Sequence, residues 1–284
     1  MFIWLELLRL RQWYKNLLVF LPLIFVGQLF DYKGLLLLSV AFVALCFVSS
    51  AGYIINDIKD GQLDKKHPEK RMRPIASGKI ALWKALLSAI LLILASLLIS
   101  AFLSPLFLFS VIALFLMMCL YTFWLKKEAF ADIIAISSDF VIRAVSGAFV
   151  INVTISPWII LCVFFLGLFL AAGKRLVESQ VLSAKSIQHR SSLKDYTPEM
   201  NKTLFIISAV LLVMSYSLYS FMSIYPLLIF SMPFALYTIL RFLLLANSGA
   251  IALGYPLSAF KDRRMIIGAL LWVITLIIVI YALG

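Results

Sequence analysis

The sequence predicts an all-α, polytopic membrane protein: one integral-membrane domain over residues 1–284, with nine transmembrane helices around a polar cavity facing the cytoplasm. Three observations predict it. Of the residues, 64% are hydrophobic and the mean hydropathy is +1.06, whereas about half of an ordinary soluble domain is apolar. Runs of the ~20 apolar residues needed to cross ~30 Å of hydrocarbon follow one another almost end to end. The cations are segregated: Lys and Arg crowd the stretches 9–15, 59–84, 126–127, 174–202 and 241–264, while the alternate loops near 31, 104, 154 and 224 hold only Lys33. By the positive-inside rule the N-terminus and every charged loop face the cytoplasm, and nine spans leave the C-terminus outside.

The expected spans are 16–30, 34–56, 81–103, 105–125, 130–152, 157–178, 203–221, 226–245 and 265–283. The first is short and only Ser104-Pro105 divides the third from the fourth, so eight is the alternative count. Met1-Phe2-Ile3-Trp4 lacks the charged region and cleavage site of a signal peptide, so the first apolar run is expected to stay in the mature chain. Ahead of it, Arg9-Leu10-Arg11-Gln12-Trp13-Tyr14-Lys15-Asn16 mixes donors with aromatics suited to a membrane interface. On an α-helical start Gln12 and Asn16 share a face that can turn toward a polar cavity.

The second span ends in Ser49-Ser50-Ala51-Gly52-Tyr53, small residues that let helices approach closely. If its helix continues, Asp57, Asp60 and Asp64 at i, i+3 and i+7 share one face over ~10 Å of rise. Like charges on one face repel, so a cation is expected among them. A hard divalent ion such as Mg²⁺ suits, because it takes oxygen ligands and shares them with substrate phosphates. His67-Pro68 is expected to end the helix, since proline disfavours helical geometry in the residue before it. Lys65, Lys66, Lys70, Arg71 and Arg73 lie beside the acids and suit a metal-bound diphosphate and further phosphates.

The fifth span carries Asp132, Asp139 and Arg143 on one stripe. Each ionisable group within a span costs about 3 kcal/mol even on the lenient translocon scale, so such groups face a cavity and find partners. Asp139 and Arg143 can pair at i and i+4; Asp132 has no local partner and is a candidate for the cavity. The sixth span ends in Gly173-Lys174-Arg175-x-x-Glu178, whose cations can snorkel or, with Lys185, His189 and Arg190, form a second polar lid. The last three spans are poor in ionisable groups, and Tyr216, Tyr219 and Tyr237 read as packing or belt residues. Cys46, Cys119 and Cys162 all lie inside apolar runs and read as small hydrophobes, neither disulfides nor metal ligands.

Of the thirteen acidic residues only Asp31 falls in an outer loop, and topology signals need no carboxylates, so chemistry is expected at the cytoplasmic rim. No Walker loop, dinucleotide glycine fingerprint, zinc motif or nucleophile elbow occurs, and no nucleic-acid partner is expected. A transporter using Asp132, Asp139 and Arg143 is one alternative, opposed by short, nearly uncharged outer loops. Membrane lipid is an expected partner for cations such as Lys84, Lys202, Arg263 and Arg264, and self-association of copies is compatible with the sequence.

Asn56-Asp57-x-x-Asp60-x-x-x-Asp64 resembles the first aspartate-rich motif of the UbiA superfamily of intramembrane prenyltransferases. Four further stretches narrow the resemblance: Arg11-Gln12-Trp13-x-Lys15-Asn16; His67-Pro68-x-Lys70-Arg71-x-Arg73-Pro74-Ile75-Ala76-x-Gly78; Ile142-Arg143-Ala144 with Gly147; and Gly173-Lys174-Arg175-x-x-Glu178. They are similar to the branch that transfers 5-phosphoribosyl from phosphoribosyl diphosphate (PRPP) to a polyprenyl phosphate such as a decaprenyl phosphate, a pentosyltransferase reaction. The resemblance implies Mg²⁺ dependence, a bacterial inner membrane and a place in cell-wall biosynthesis. It implies Asp57, Asp60 and Asp64 as catalytic, metal-holding residues with Asn56. It also implies Gln12, Lys15, Asn16, Asn56, Lys70, Arg71, Arg73, Asp132, Arg143, Lys174, Arg175 and Glu178 as substrate-binding residues.

Ordinary UbiA enzymes carry a second aspartate-rich motif where this chain has Lys174, Arg175 and only Glu178. That loss favours a donor with an extra phosphate over a second carboxylate cage. Leu10 stands where the opening motif is expected to have proline, and Gly254-Tyr255-Pro256 lacks the acidic residues associated with the mycobacterial form. A UbiA-type aromatic prenyltransferase, using the same acids on a prenyl diphosphate, is the other alternative.

Overall fold

Hydropathy alone decides most of the architecture. The computed structural model describes residues 2–66, 70–182, 197–249 and 256–283, and the regular elements there are all helical. A short α1 (Phe2–Leu7) leads into a 3₁₀ segment, Leu10–Phe20, and then α2 (Leu21–Phe25). There follow α3 (Tyr32–Lys66), α4 (Leu82–Leu103), α5 (Pro105–Phe123), α6 (Ala131–Ile151), α7 (Pro157–Leu182), α8 (Pro198–Met222), α9 (Met232–Asn247) and α10 (Arg263–Ala282). Among the described residues eight helical segments are long and apolar enough to cross a membrane: α3 to α8, the stretch Pro226–Asn247 that ends in α9, and α10.

The first expected span, 16–30, is not among them. Its place is taken by the 3₁₀ segment and α2, closed by Gly27 at φ 76°. A 3₁₀ helix rises ~2.0 Å per residue against ~1.5 Å in an α-helix, so Leu10–Phe25 reaches ~30 Å without forming a long α-helix. A search for ~20-residue α-helical spans therefore miscounts here.

The chain divides into two compact units. Unit 1 comprises Met1–Glu128 and Asp139–Ile155; unit 2 comprises Ala129–Ser138 and Ser156–Gly284. In unit 1 a core of Val19, Leu23, Leu45, Phe107, Val111 and Leu114 joins the opening segment to α3 and α5. Ser96 of α4 donates to the Ala44 carbonyl of α3 at 2.8 Å, a buried interhelical bond. Gly147 of α6 lies so close to the opening segment that a Cβ there would stand 2.0 Å from the Val19 carbonyl oxygen. Only glycine permits that approach.

In unit 2 the Phe169 ring of α7 stacks on Phe205 of α8 at 4.8 Å between centroids, in a core with Leu176, Phe242, Leu245 and Met265. Tyr216 hydrogen-bonds Ser231 at 2.5 Å and accepts from Trp272 Nε1 at 2.8 Å, so it is a packing residue as the sequence suggests. Asp262 caps α10 by accepting from the Met265 amide at 2.8 Å and takes two bonds from Arg241. Cys46, Cys119 and Cys162 are free thiols.

Candidate active site

The carboxylate row exists because α3 does not stop where its apolar sequence stops. It runs on to Lys66, because the turns already formed nucleate the next and the good helix formers Lys59, Gln62, Leu63, Lys65 and Lys66 offset the weaker Asp residues and Gly61. Asp57 and Asp64 are 3% and 4% exposed. Arg73 Nη1 donates to Asp57 Oδ1 at 2.9 Å and to Asp64 Oδ2 at 2.7 Å, so one nitrogen bridges two acids two turns apart. Arg9 also donates to Asp57 Oδ1. Asp60 is held by Lys126 Nζ at 2.5 Å, and the same ammonium donates to Asn56 Oδ1 at 3.2 Å. Each of the three acids is thus neutralised by a cation from elsewhere in the chain.

The segment after α3 is shaped to deliver Arg73. Ile75 and Ile80 bury into a cluster with Leu7, Ala51, Ile54 and Ala85. The backbone closes on itself through Ser77 N to Arg73 O at 2.9 Å and Ile80 N to Pro74 O at 3.1 Å, and Gly78 supplies the left-handed turn at φ 74°. Lys70 and Arg71 of the same segment are exposed. His67-Pro68, expected to end the helix, lies outside the described residues.

The donor set fits Mg²⁺ in one particular way. Asp57 and Asp64 already flank a cationic nitrogen, and both offer hard oxygen. Yet among the described residues no three His, Cys, Asp or Glu side chains gather closely enough to form a protein cage. The hard oxygens of the carboxylate row suit Mg²⁺ whose coordination is shared with substrate phosphates.

The opening segment obeys a period of three. Trp13 Nε1 donates to Ser50 Oγ at 3.0 Å, Asn16 Nδ2 reaches Cys46 Sγ at 3.3 Å, and Val19 packs against Gly147. In 3₁₀ geometry residues i and i+3 eclipse, whereas i and i+4 diverge by about 120°. The expected shared face of Gln12 and Asn16 is therefore replaced by a shared edge of Trp13 and Asn16.

Arg143 of α6, 1% exposed, donates to Asn16 Oδ1 at 2.8 Å, to the Asp139 carbonyl at 2.7 Å and to Ser49 Oγ at 3.4 Å. The expected pair with Asp139 is present at 3.6 Å. Lys15 lies within electrostatic reach of both Arg143 and Asp139. This makes Arg143 the joint between α3, α6 and the opening segment.

In unit 2 Asp132 is fully buried and finds its partner across helices: Arg175 places Nε and Nη2 each at 2.9 Å from Asp132 Oδ2. Arg175 also donates to Glu178 Oε2 at 2.6 Å. Lys174 is 53% exposed at its side chain and stands 3.9 Å from Glu178. The buried pair makes Asp132 and Arg175 a fixed strut. The expected lid residues Lys185, His189 and Arg190 lie outside the described residues.

Sequence reasoning passed over Arg9, Trp13 and Lys126. Arg9 and Lys126 read as topology charges; the signal that singles them out is the need of buried acids for partners. The profile of the UbiA prenyltransferase family matches residues 20–261. The chain belongs to the UbiA prenyltransferase family. A decaprenyl-phosphate phosphoribosyltransferase of Mycolicibacterium smegmatis is 41% identical over 218 residues, 75% of this chain and 68% of the relative. Another, from Mycobacterium tuberculosis, is 33% identical over 277 residues, 94% and 91% of the two chains. Among solved structures, a UbiA homolog from Archaeoglobus fulgidus bound to GPP and Mg²⁺ matches with a TM-score of 0.75 at 19% identity, covering 97% of this chain and 99% of that one. This UbiA member shares the fold of that neighbour while its sequence lies nearer the phosphoribosyltransferases.

Proposed function

We propose that this UbiA-family protein transfers 5-phosphoribosyl from PRPP to a polyprenyl phosphate, decaprenyl-like in kind, and releases pyrophosphate. One observation carries the reading: three acids on one face of α3, each matched by a cation, where a diphosphate and its counter-ions can exchange partners. The relatives named decaprenyl-phosphate phosphoribosyltransferase support the donor and acceptor.

Asp57, Asp60 and Asp64, with Asn56, would hold Mg²⁺, which when bound neutralises charge on the departing diphosphate. Arg73, freed from the acids, meets a phosphate of PRPP, and exposed Lys70 and Arg71 meet others. Gln12, Lys15 and Asn16 orient substrate beside Arg143. Asp132, Arg175 and Glu178 position Lys174 on its helix. The bond from ribose C1 to the diphosphate oxygen breaks, and a new bond from C1 to the acceptor phosphate oxygen forms with inversion. No proton need move, since the acceptor is already an anion, so alignment supplies much of the acceleration. The charge distribution supports a site on the cytoplasmic side, and the bacterial relatives support an inner-membrane location.

Purified protein incubated with Mg²⁺, labelled PRPP and polyprenyl phosphate is expected to form a lipid-linked ribose phosphate that vanishes on chelation. The prenyl-diphosphate ligands of the A. fulgidus neighbours favour a second reading, aromatic prenyl transfer by the same acids. Turnover of a prenyl diphosphate with no PRPP product would establish that one instead.

A further inference from the structure

In the sequence Arg9 is one of many basic residues near the membrane, yet its placement is specific. Its backbone occupies the left-handed region at φ 51° and ψ 49°, a conformation that non-glycine residues adopt only when surroundings enforce it. That turn separates α1 from the 3₁₀ segment and throws the side chain toward α3. There the guanidinium sits over the Tyr53 ring, 5.2 Å from its centroid, and donates to Asp57 Oδ1, four residues further along the same helix. The oxygen it holds is the one Arg73 also holds. Its side chain remains 21% exposed, whereas that of Asp57 is 4% exposed.

We propose that Arg9 is a positioning residue that keeps Asp57 closed to free divalent metal and releases it to metal arriving on a diphosphate. The charges explain why. Three acids face three cations: Arg9, Arg73 and Lys126. Metal entering alone must displace a guanidinium and leave the row with excess positive charge. Metal bound to a diphosphate brings net negative charge, and the displaced guanidinium passes from carboxylate to phosphate oxygen, a geometry arginine matches equally well. Metal and diphosphate binding are therefore coupled, each raising the affinity of the other by the same factor. The inference rests on the acids holding metal and diphosphate, not on the identity of the group attached to that diphosphate.

The test uses the full chain in detergent, with Mn²⁺ as a spectroscopically visible stand-in for Mg²⁺ and inorganic pyrophosphate as the diphosphate. The native protein is expected to bind Mn²⁺ weakly alone and at least about tenfold more tightly with pyrophosphate. Arg9→Gln is expected to bind Mn²⁺ alone several-fold more tightly than the native protein, with the pyrophosphate enhancement reduced to about twofold or less. Arg9→Lys, which keeps the charge, should fall between them. General structural damage weakens metal binding, so a gain in affinity separates the positioning role from a scaffold role. Should Arg9→Gln fail to fold, Tyr53→Leu removes the ring beneath the guanidinium and is expected to shift both constants the same way.

Unchanged or weaker Mn²⁺ binding in the variant that folds, or enhancement by pyrophosphate that survives it in full, overturns the proposal; so does the absence of Mn²⁺ binding under all conditions. If the variant behaves as expected while PRPP gives no product, the substrate assignment fails and the role of Arg9 stands.

Discussion

The proposed reaction rests most heavily on a single buried carboxylate. Asp57 accepts from two guanidiniums at one oxygen and is 3% exposed, so its charge serves no solvation purpose. Replacing it by Asn keeps the shape and removes the charge. Asp57→Asn is expected to lower turnover by about 100-fold or more while gel filtration shows the folded species; full turnover would remove Asp57 from the mechanism. Arg143 answers to a different measurement. Its three donors join Asn16, Ser49 and α6, and truncation takes the guanidinium from Asp139 and leaves Asn16 Oδ1 only the bond from Ser49. Arg143→Ala is expected to cost roughly 3 kcal/mol, seen as a lowered Tm in detergent.

At this scale the acids were legible in the sequence because carboxylates stand out against hydrocarbon, and their spacing needs only a helix. Of their partners, Arg73 stands beside the acids in the sequence, but Arg9 and Lys126 come from distant places in the chain, and only folding selects them from among 25 basic residues.

Among the elements, α3 and the 3₁₀ segment show opposite limits of periodicity. The apolar run of α3 marked a span at 34–56, and the helix continues ten residues further, through the carboxylate row as its spacing implies, since polarity ends membrane burial without ending helix. In the opening segment the three-residue repeat of Trp13, Asn16 and Val19 was present in the sequence but was read on a 3.6-residue template. Gly147→Ala tests the contact that holds the segment: a Cβ 2.0 Å from the Val19 oxygen forces backbone apart, with an expected loss of about 1–3 kcal/mol in thermal unfolding.

The start of α10 is sensitive to acid. Arg241 and the Met265 amide hold the Asp262 carboxyl down at about 2. Because the folded value lies below the ordinary one near 4, the cap's contribution is complete above about pH 4 and is lost as pH falls through about 2. A spin label at Phe260 should become mobile on acidification in the native chain, and at every pH in Asp262→Ala. A label equally rigid in that variant would show that the cap does not anchor the helix.

For the whole molecule, hydropathy was sufficient to establish an all-helical membrane protein, and eight of the expected nine spans are long apolar helical segments. The division into two compact units was invisible, because α6 is one uninterrupted pattern in sequence although its first residues belong to unit 2 and the remainder to unit 1. The orientation expected from the charge distribution can be checked directly. A cysteine replacing exposed Ser77 is expected to react with a membrane-impermeant maleimide in inverted vesicles and not in intact spheroplasts. The reverse pattern would place the carboxylate row outside.

The stretched geometry of the opening segment also acts as a ruler. Its eleven residues would contract by about 5 Å if they relaxed into an α-helix. One end is pinned where the Val19 carbonyl meets Gly147, and the other carries the guanidinium that reaches Asp57. How far that arm extends over the acids is thus fixed at the opposite end of the segment, by an absent methyl group on α6.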